Sequence, residues 1–147
     1  MLYRLIYSSE AVPGFGEKEL RQLLLRCRKN NSENGITGAL IFVDHVFLQI
    51  LEGNKTDVIT LMDKVRNDPR HRNIKVFSER EDDKYLFSAW SMANLSPDLE
   101  SLSSWAGIEG ATSIGVIASS IDKDPQRVPT LVVRILKELA EPSRRDQ

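Results

Sequence analysis

Four polar residues lie where the surrounding pattern predicts apolar faces; they are Tyr7, Asn31, Gln49 and Asp68. Gln49 stands between Phe47 and Leu51 on one face of a strand whose other face is also apolar. A buried amide without hydrogen-bond partners costs about 1–3 kcal/mol, so Gln49 and Asn31 need partners. Taken singly, each can be satisfied by a backbone edge, a water molecule or the other amide. Taken together, the four residues predict an apolar slot for a ligand with a polar edge.

Conventional catalytic groups are scarce in this chain. Its histidines are His45 and His71 and its one cysteine is Cys27, so a closed cysteine–histidine zinc site cannot form. There is no glycine-rich phosphate loop, no dinucleotide fingerprint and no serine in a nucleophile-elbow context. Cys27 falls on an apolar helical stripe, where a structural thiol is expected. We therefore expect a protein that is not an enzyme and that binds no metal.

Two amphipathic helices are predicted to carry Asn31 and Asp68. The first spans residues 17–31, and its apolar stripe consists of Leu20, Leu23, Leu24 and Cys27. The second spans residues 56–68, and its apolar stripe consists of Val58, Leu61, Met62 and Val65. Each stripe ends in a polar residue. Lys64 lies four residues before Asp68, a spacing that predicts an ion pair along the helix.

Apolar runs predict five strands, which span residues 2–8, 36–43, 46–52, 73–80 and 90–94. The third strand is apolar on both faces, so we expect it at the centre of the sheet. The order β-α-β-β-α-β with an extra strand predicts an α+β fold, a ferredoxin-like sandwich. Beyond Pro97 the pattern changes, and residues 125–140 resemble a helix. We expect a first domain at 1–96 and a C-terminal helical extension at 97–147, docked on its own sheet or on another subunit.

The composition excludes several classes of partner. The chain has 20 Lys and Arg residues and 21 Asp and Glu residues, so there is no surplus of basic residues that would indicate binding to nucleic acid. No apolar run reaches the roughly 18 residues of a membrane span, and the chain enters a strand at once without a signal-peptide pattern. We expect a cytoplasmic protein without a nucleic-acid or membrane partner.

Five segments follow one another over roughly residues 1 to 95. They are Leu2-Tyr-Arg-Leu-Ile-Tyr-Ser-Ser, Asn30-Asn31-Ser-Glu-Asn-Gly-Ile-Thr-Gly, Phe47-Leu-Gln-Ile-Leu-Glu-Gly, Asp68-Pro-Arg-His and Trp90-Ser-Met. In order and spacing they resemble the BLUF family, named for blue-light sensing using flavin. Each segment is weak alone, whereas five in register are specific. The resemblance implies a non-covalently bound flavin. FAD is expected, and FMN and riboflavin also fit, since no strong phosphate-binding motif selects among them.

The resemblance further implies that the flavin ring lies between the two helices and over the sheet. The residues that it places at the flavin are Leu24, Asn30, Asn31, Ile36, Lys64, Val65, Asp68 and His71. Asn31 would donate to the flavin O4 and accept from N3, which only an amide side chain can do. Lys64 would supply a cation near O2, with Asp68 to orient it; an ordinary surface pair is the alternative for these two. His71 would lie beside the ring or the ribityl chain.

Tyr7 and Gln49 form the switch that the resemblance implies. Strands one and three are neighbours in this topology, so the two side chains can be adjacent. In light, Tyr7 would give an electron and then a proton, and their return would leave Gln49 rearranged between the phenol and the flavin N5 and O4. Rotation or tautomerisation of the amide exchanges donor and acceptor in the same space, and a new bond to O4 shifts the absorption to the red. Without the resemblance, Tyr7 would be an ordinary core tyrosine.

Trp90 and Met92 share a face of the last predicted strand and are the expected signal relay, with a plain core pair as the alternative. The length suggests a stand-alone photoreceptor without an enzyme domain. It would signal as a homo-oligomer or through a separate regulator, with the helix near 131–139 as the coupling element. Two other functions stay open. One is a ferredoxin-like enzyme or small-ligand-binding domain without photochemistry, and the other is a passive assembly module.

Overall fold

The computed structural model describes residues 2–43, 45–87, 92–95, 99–105, 107–108, 116–117, 120, 123 and 131. The elements in chain order are β1 (Leu2–Ala11), α1 (Glu17–Glu33), β2 (Thr37–Val43), β3 (Val46–Gly53), α2 (Lys55–Arg66), β4 (His71–Asp82), β5 (Ala93–Leu95) and α3 (Leu99–Trp105).

The strands form one sheet in the order β4-β1-β3-β2-β5. The first four pair antiparallel, and β5 adds to β2 in parallel. This arrangement confirms the predicted ferredoxin-like α+β fold with an extra strand. It also confirms the central position of β3, whose two apolar faces are both covered because a layer packs on each side of the sheet.

The two faces of the sheet bury separate apolar clusters. On the first, which we call the helix face, Phe47 and Leu51 of β3 pack with Leu24 of α1 and Val58 and Met62 of α2. On the second, which we call the opposite face, the strand residues pack with Leu102, Trp105, Ile117 and Leu131. These four described residues of the extension therefore dock on the sheet of their own chain, one of the two arrangements left open by the sequence.

Local signals fix where the helices begin. The side chain of Glu19 accepts the backbone N–H of Gly16 at 2.8 Å, which satisfies a donor that the first turn of α1 leaves free. The Asn54 side chain accepts the N–H of Thr56 at 3.0 Å at the start of α2. Helix α2 ends at Arg66, two residues before its predicted end.

One glycine is required by the close approach of two strands. A Cβ added to Gly38 of β2 would lie 1.9 Å from the carbonyl oxygen of Ile50 in β3. No side chain fits in that space, so β2 and β3 can pair at this point only because residue 38 is glycine.

Several strand boundaries differ from the predictions. Strand β1 continues to Ala11 and β4 begins at His71, because these two residues pair with each other at the end of the ladder. Met92 precedes β5 instead of lying within it. Trp90 lies outside the described residues, as does the predicted helix at 125–140 apart from Leu131. None of the helices in the described part of the chain is long and apolar enough to cross a membrane.

Candidate functional site

A cavity of about 230 Å³ opens among α1, α2 and the helix face of the sheet. Its apolar lining consists of Leu23, Cys27, Leu40, Phe47, Leu61 and Val65. Its polar lining consists of Tyr7, Arg26, Asn30, Asn31, Gln49, Lys64, Asp68, Arg70 and His71. The structure therefore brings Tyr7, Asn31, Gln49 and Asp68, the four polar residues of the predicted apolar faces, to one cavity.

Tyr7 and Gln49 are adjacent because β1 and β3 pair with these two residues in direct register. Both are buried, and the Tyr7 hydroxyl donates a hydrogen bond to Gln49 Oε1. Burial disfavours the charged phenolate and raises the pKa of Tyr7 above its ordinary value. Tyr7 is therefore a neutral phenol that keeps its proton and directs it to the Gln49 carbonyl.

The other end of the Gln49 amide faces Met92. Gln49 Nε2 donates to Met92 Sδ at 3.6 Å, and both side chains are buried. A thioether is a weak acceptor. Gln49 is thus held by a strong hydrogen bond at its oxygen and a weak one at its nitrogen. If the amide rotated by half a turn, its nitrogen could still donate to the Tyr7 hydroxyl, whereas the hydrogen bond to the Met92 sulfur would be lost.

Asn31 and Asn30 reach the cavity from the last turn of α1. Asn31 is 1% exposed, and its backbone carbonyl accepts the N–H groups of Asn34 and Ile36 at 3.1 and 2.8 Å. These bonds close the end of the helix and fix the backbone from which the Asn31 side chain extends to the cavity. The buried amide is the group most suited to recognise a ligand edge with a donor beside an acceptor.

The predicted pair of Lys64 and Asp68 is wrong. Because α2 ends at Arg66, Asp68 is not on the helical stripe, and it binds Arg70 instead. Arg70 Nη2 lies 2.5 Å from Asp68 Oδ2, and the Arg70 backbone N–H donates to Asp68 Oδ1 at 2.9 Å. Desolvation raises the pKa of Asp68, but the bonds and charge of Arg70 outweigh it and lower the pKa below its usual value.

Arg70 also lines the cavity and is a site residue that was not predicted from the sequence. The signal was present, because an aspartate followed by proline favours a turn in which its carboxylate binds the backbone two residues later. Arg70 occupies that position within the segment Asp68-Pro-Arg-His. Lys64 also lines the cavity, so two cations are brought to it from this side.

His71 lies at the start of β4 beside the aromatic wall of the cavity. Its Nδ1 is 2.8 Å from Ser9 Oγ, and its ring meets Phe47 edge-on with centroids 5.8 Å apart. Burial lowers the pKa of His71 from its ordinary value. His71 is therefore neutral at pH 7.

Of the three apolar residues expected at the ligand, one lines the cavity, one lies beside it and one is in the core. Val65 lines the cavity, and Ile36 lines a small hollow next to Asn30 and Asn31. Leu24 is 3% exposed and packs in the core, and its neighbour Leu23 lines the cavity instead. Cys27 also lines it, and burial raises the pKa of this thiol to about 11, so it stays protonated.

The lining fits a flat ring that is apolar in the middle and polar at its rim. Apolar side chains come from both helices and from β2 and β3, while amide, phenol and cationic groups converge from the edges. Asp68 is the acidic group in this lining, and its charge is offset by Arg70. In the part of the chain that the structure describes, no group of three or more possible metal ligands occurs.

Comparison with solved structures supports the fold along most of the chain. BlsA in its photo-activated state superimposes with a TM-score of 0.77 at 26% identity, covering 92% of this chain and 95% of BlsA. BlsA in its ground state gives a TM-score of 0.75 at 27% identity, covering 90% and 89%.

Curated relatives share the same region. The photoactivated adenylate cyclase subunit beta of Euglena gracilis is 28% identical over 136 residues, which is 92% of this chain but 15% of that protein. The blue light- and temperature-regulated antirepressor BluF of Escherichia coli (strain K12) is 32% identical over 74 residues, which is 50% of this chain and 18% of that protein. The chain thus spans less than a fifth of the length of these relatives.

A family model described as BLUF, sensors of blue-light using FAD, matches residues 2–93. This match covers more than half of the chain and includes every strand and helix that lines the cavity. The chain belongs to the BLUF family of flavin-binding blue-light sensors.

Proposed function

We propose that this chain is a blue-light photoreceptor that holds FAD non-covalently in the cavity between α1 and α2. The observation that carries the proposal is the hydrogen bond from the Tyr7 hydroxyl to Gln49 Oε1, made in a buried position at the cavity. An oxidisable phenol with its proton directed to a reorientable amide is what a light-driven hydrogen-bond switch requires.

A bound flavin would supply absorption of blue light and, when excited, an acceptor for one electron. Tyr7 would be the donor, and its hydroxyl proton, which is already directed to Gln49 Oε1, would move toward that oxygen because an oxidised phenol holds its proton weakly. Return of the electron and the proton would restore Tyr7 and leave Gln49 rotated or tautomerised. Its amide then presents donor and acceptor in exchanged positions, so the hydrogen bonds around it differ in light and dark.

Asn31, Lys64, Asp68 and His71 would hold and orient the ring together with Asn30. Asn31 offers a donor and an acceptor from one buried amide. Lys64 offers a single cation, and Asp68 fixes Arg70 at the cavity. Val65 would face the ring, with Ile36 and Leu24 packed around the same slot.

The charge at the cavity supports a flavin that carries phosphate groups, such as FAD. Arg26 and Lys64 line the cavity in addition to Arg70, whose charge is offset by Asp68. Such a surplus of cations favours a flavin with phosphate groups over riboflavin. Reconstitution of the flavin-free protein with FAD, FMN and riboflavin, followed by flavin fluorescence, would rank the three; equal affinity for riboflavin would argue against this choice.

We propose that the signal leaves through the opposite face of the sheet. Leu48 and Ile50 flank Gln49 on β3 and pack in the cluster that contains Leu131 and Ile117 of the extension. In this proposal residues 1–96 sense light, and residues 97–147 couple it to a second copy of the chain or to a separate regulator, without enzyme chemistry in this chain. Trp90 stays a predicted relay residue.

The decisive experiment is spectroscopic. The purified protein should be yellow, and its flavin absorption should shift to the red under blue light and recover in darkness. A colourless protein that cannot be reconstituted with flavin would favour the ferredoxin-like enzyme or binding domain, and flavin-independent oligomers would favour the passive assembly module.

Variants then assign the switch. Tyr7→Phe and Gln49→Leu should keep flavin but lose the normal red shift, since one removes the phenol hydroxyl and the other the amide. Tyr3→Phe is the matched control, because Tyr3 lies on the same strand and face and donates to Glu79 at 2.5 Å, away from the cavity. A normal photocycle in Tyr7→Phe would refute the role assigned to the phenol.

A further inference from the structure

Arg28 of α1 binds the backbone of the residue that contacts Gln49. Its Nε donates to the carbonyl oxygen of Met92 at 2.9 Å, across 64 positions of the sequence. Arg28 is half-buried, and it lies one residue after Cys27 and three before Asn31, both of which line the cavity. A single helix therefore carries cavity residues and a clamp on Met92.

Met92 is consequently held at two points. Arg28 fixes its main chain, and its sulfur accepts Gln49 Nε2 at 3.6 Å. Among the described residues, the strand that follows, β5, pairs with β2 at three positions. With so short a ladder, a charge-assisted bond to the carbonyl is a substantial part of what determines where Met92 lies.

The segment between β4 and β5, which ends near Met92, is also hydrogen-bonded at its beginning. The backbone N–H groups of Leu86 and Phe87 donate to the buried carboxylate of Glu52 at distances from 2.7 to 3.1 Å. Glu52 lies three residues after Gln49 on β3. The segment between β4 and β5 is thus bound at its beginning by Glu52 of β3 and at its end by Arg28 of α1.

We propose that Arg28 is a positioning residue that holds Met92 Sδ against Gln49 and thereby sets the lifetime of the light state. This inference rests on the proposed photochemical role of Tyr7 and Gln49, with rotation as the change in the amide. In the present orientation the amide nitrogen of Gln49 faces the Met92 sulfur. After the amide rotates, its oxygen faces the sulfur, which has no proton to donate. The hydrogen bond to the sulfur therefore forms again only when the amide rotates back. A fixed Met92 therefore favours return, and a displaced one slows it.

The test compares dark recovery of the flavin spectrum in wild type, Arg28→Gln and Arg28→Lys. Arg28→Gln should retain flavin and show a red shift, with recovery slowed about tenfold, the factor for about 1.4 kcal/mol in one hydrogen bond. Arg28→Lys keeps the charge and should recover at a rate closer to wild type. Arg21→Gln is the control, since Arg21 is an exposed residue of α1 that faces Glu17 at 3.6 Å.

A double-variant cycle separates positioning from general destabilisation. Met92→Leu alone removes the sulfur contact, so adding Arg28→Gln should slow recovery little further, whereas additive effects would overturn the proposal. Recovery within twofold of wild type in Arg28→Gln, faster recovery, or equal slowing in Arg21→Gln would also overturn it. If Arg28→Gln does not fold, the same cycle is run with Arg28→Lys: slowing of recovery that disappears on the Met92→Leu background supports the proposal, and equal slowing on both backgrounds overturns it. A wild-type protein without any red shift overturns the photochemical proposal itself.

Discussion

Replacing Glu52 by glutamine should destabilise the fold strongly, because it breaks a buried ion pair from one side. Glu52 is 0% exposed, and its Oε2 lies 2.8 Å from Arg4 Nη2 and accepts from Arg4 Nε at 2.8 Å. Arg4 is 4% exposed. In Glu52→Gln the guanidinium stays buried, but the group opposite it has lost its charge.

The loss in free energy of unfolding depends on the contacts that Arg4 retains in the variant. Removing one partner of a buried pair costs about 3–5 kcal/mol. Arg4 still binds Asp82 and the Lys84 carbonyl, both at 2.9 Å, so we expect the lower end, about 3 kcal/mol. With a urea dependence of about 2 kcal/mol per molar, the unfolding midpoint should fall by about 1.5 M.

The assay is urea unfolding followed by far-ultraviolet circular dichroism. Glu10→Gln is the matched control, because Glu10 faces Arg72 at 4.0 Å on the surface and such pairs contribute about 0–1 kcal/mol. Adding Arg4→Met to Glu52→Gln should recover part of the loss, since a buried guanidinium no longer lacks the charge of Glu52 beside it. A midpoint within about 0.3 M of wild type for Glu52→Gln would refute the reasoning.

Two further predictions concern strand packing and pH. Gly38→Ala would put a methyl group 1.9 Å from the Ile50 carbonyl oxygen, so its free energy of unfolding should fall by about 3 kcal/mol or more, and an unchanged urea midpoint would contradict this. Burial lowers the pKa of His71, with the Arg70 charge also lowering it and the Asp68 charge opposing. The unfolded chain then binds more protons below about pH 6.5, so stability should fall as pH drops through that value. His71→Gln should reduce this dependence between pH 7.5 and 5.5; an identical pH profile in the variant would show that His71 does not cause it.

The sequence by itself determined the elements and the faces on which residues lie. Alternation along β3 placed Gln49 on a buried face and made β3 the central strand, because a side-chain period of two leaves no other assignment. The same patterns predicted the ferredoxin-like order and the adjacency of Tyr7 and Gln49. The pattern placed Tyr7 on a buried face, but only the family resemblance distinguished it from an ordinary core tyrosine.

The folded chain decided which of the possible partners are used. Asp68 binds Arg70 and not Lys64 because α2 ends at Arg66, and helix ends depend on packing and capping beyond the periodic stripe. Periodicity likewise could not separate Leu23 from Leu24 at the cavity, since both belong to one helical stripe.

Contacts between residues far apart in the chain were the hardest to predict from the sequence. Arg28 and Met92 are 64 residues apart, and Arg4 and Glu52 are 48 apart. Local sequence patterns predict that a residue is buried. Its hydrogen-bond or ion-pair partner depends on how the strands pair and on how the connecting segments cross the sheet. For this reason Gln49 was evident from its position on β3, whereas the residue that holds Met92 against it was found only in the folded chain.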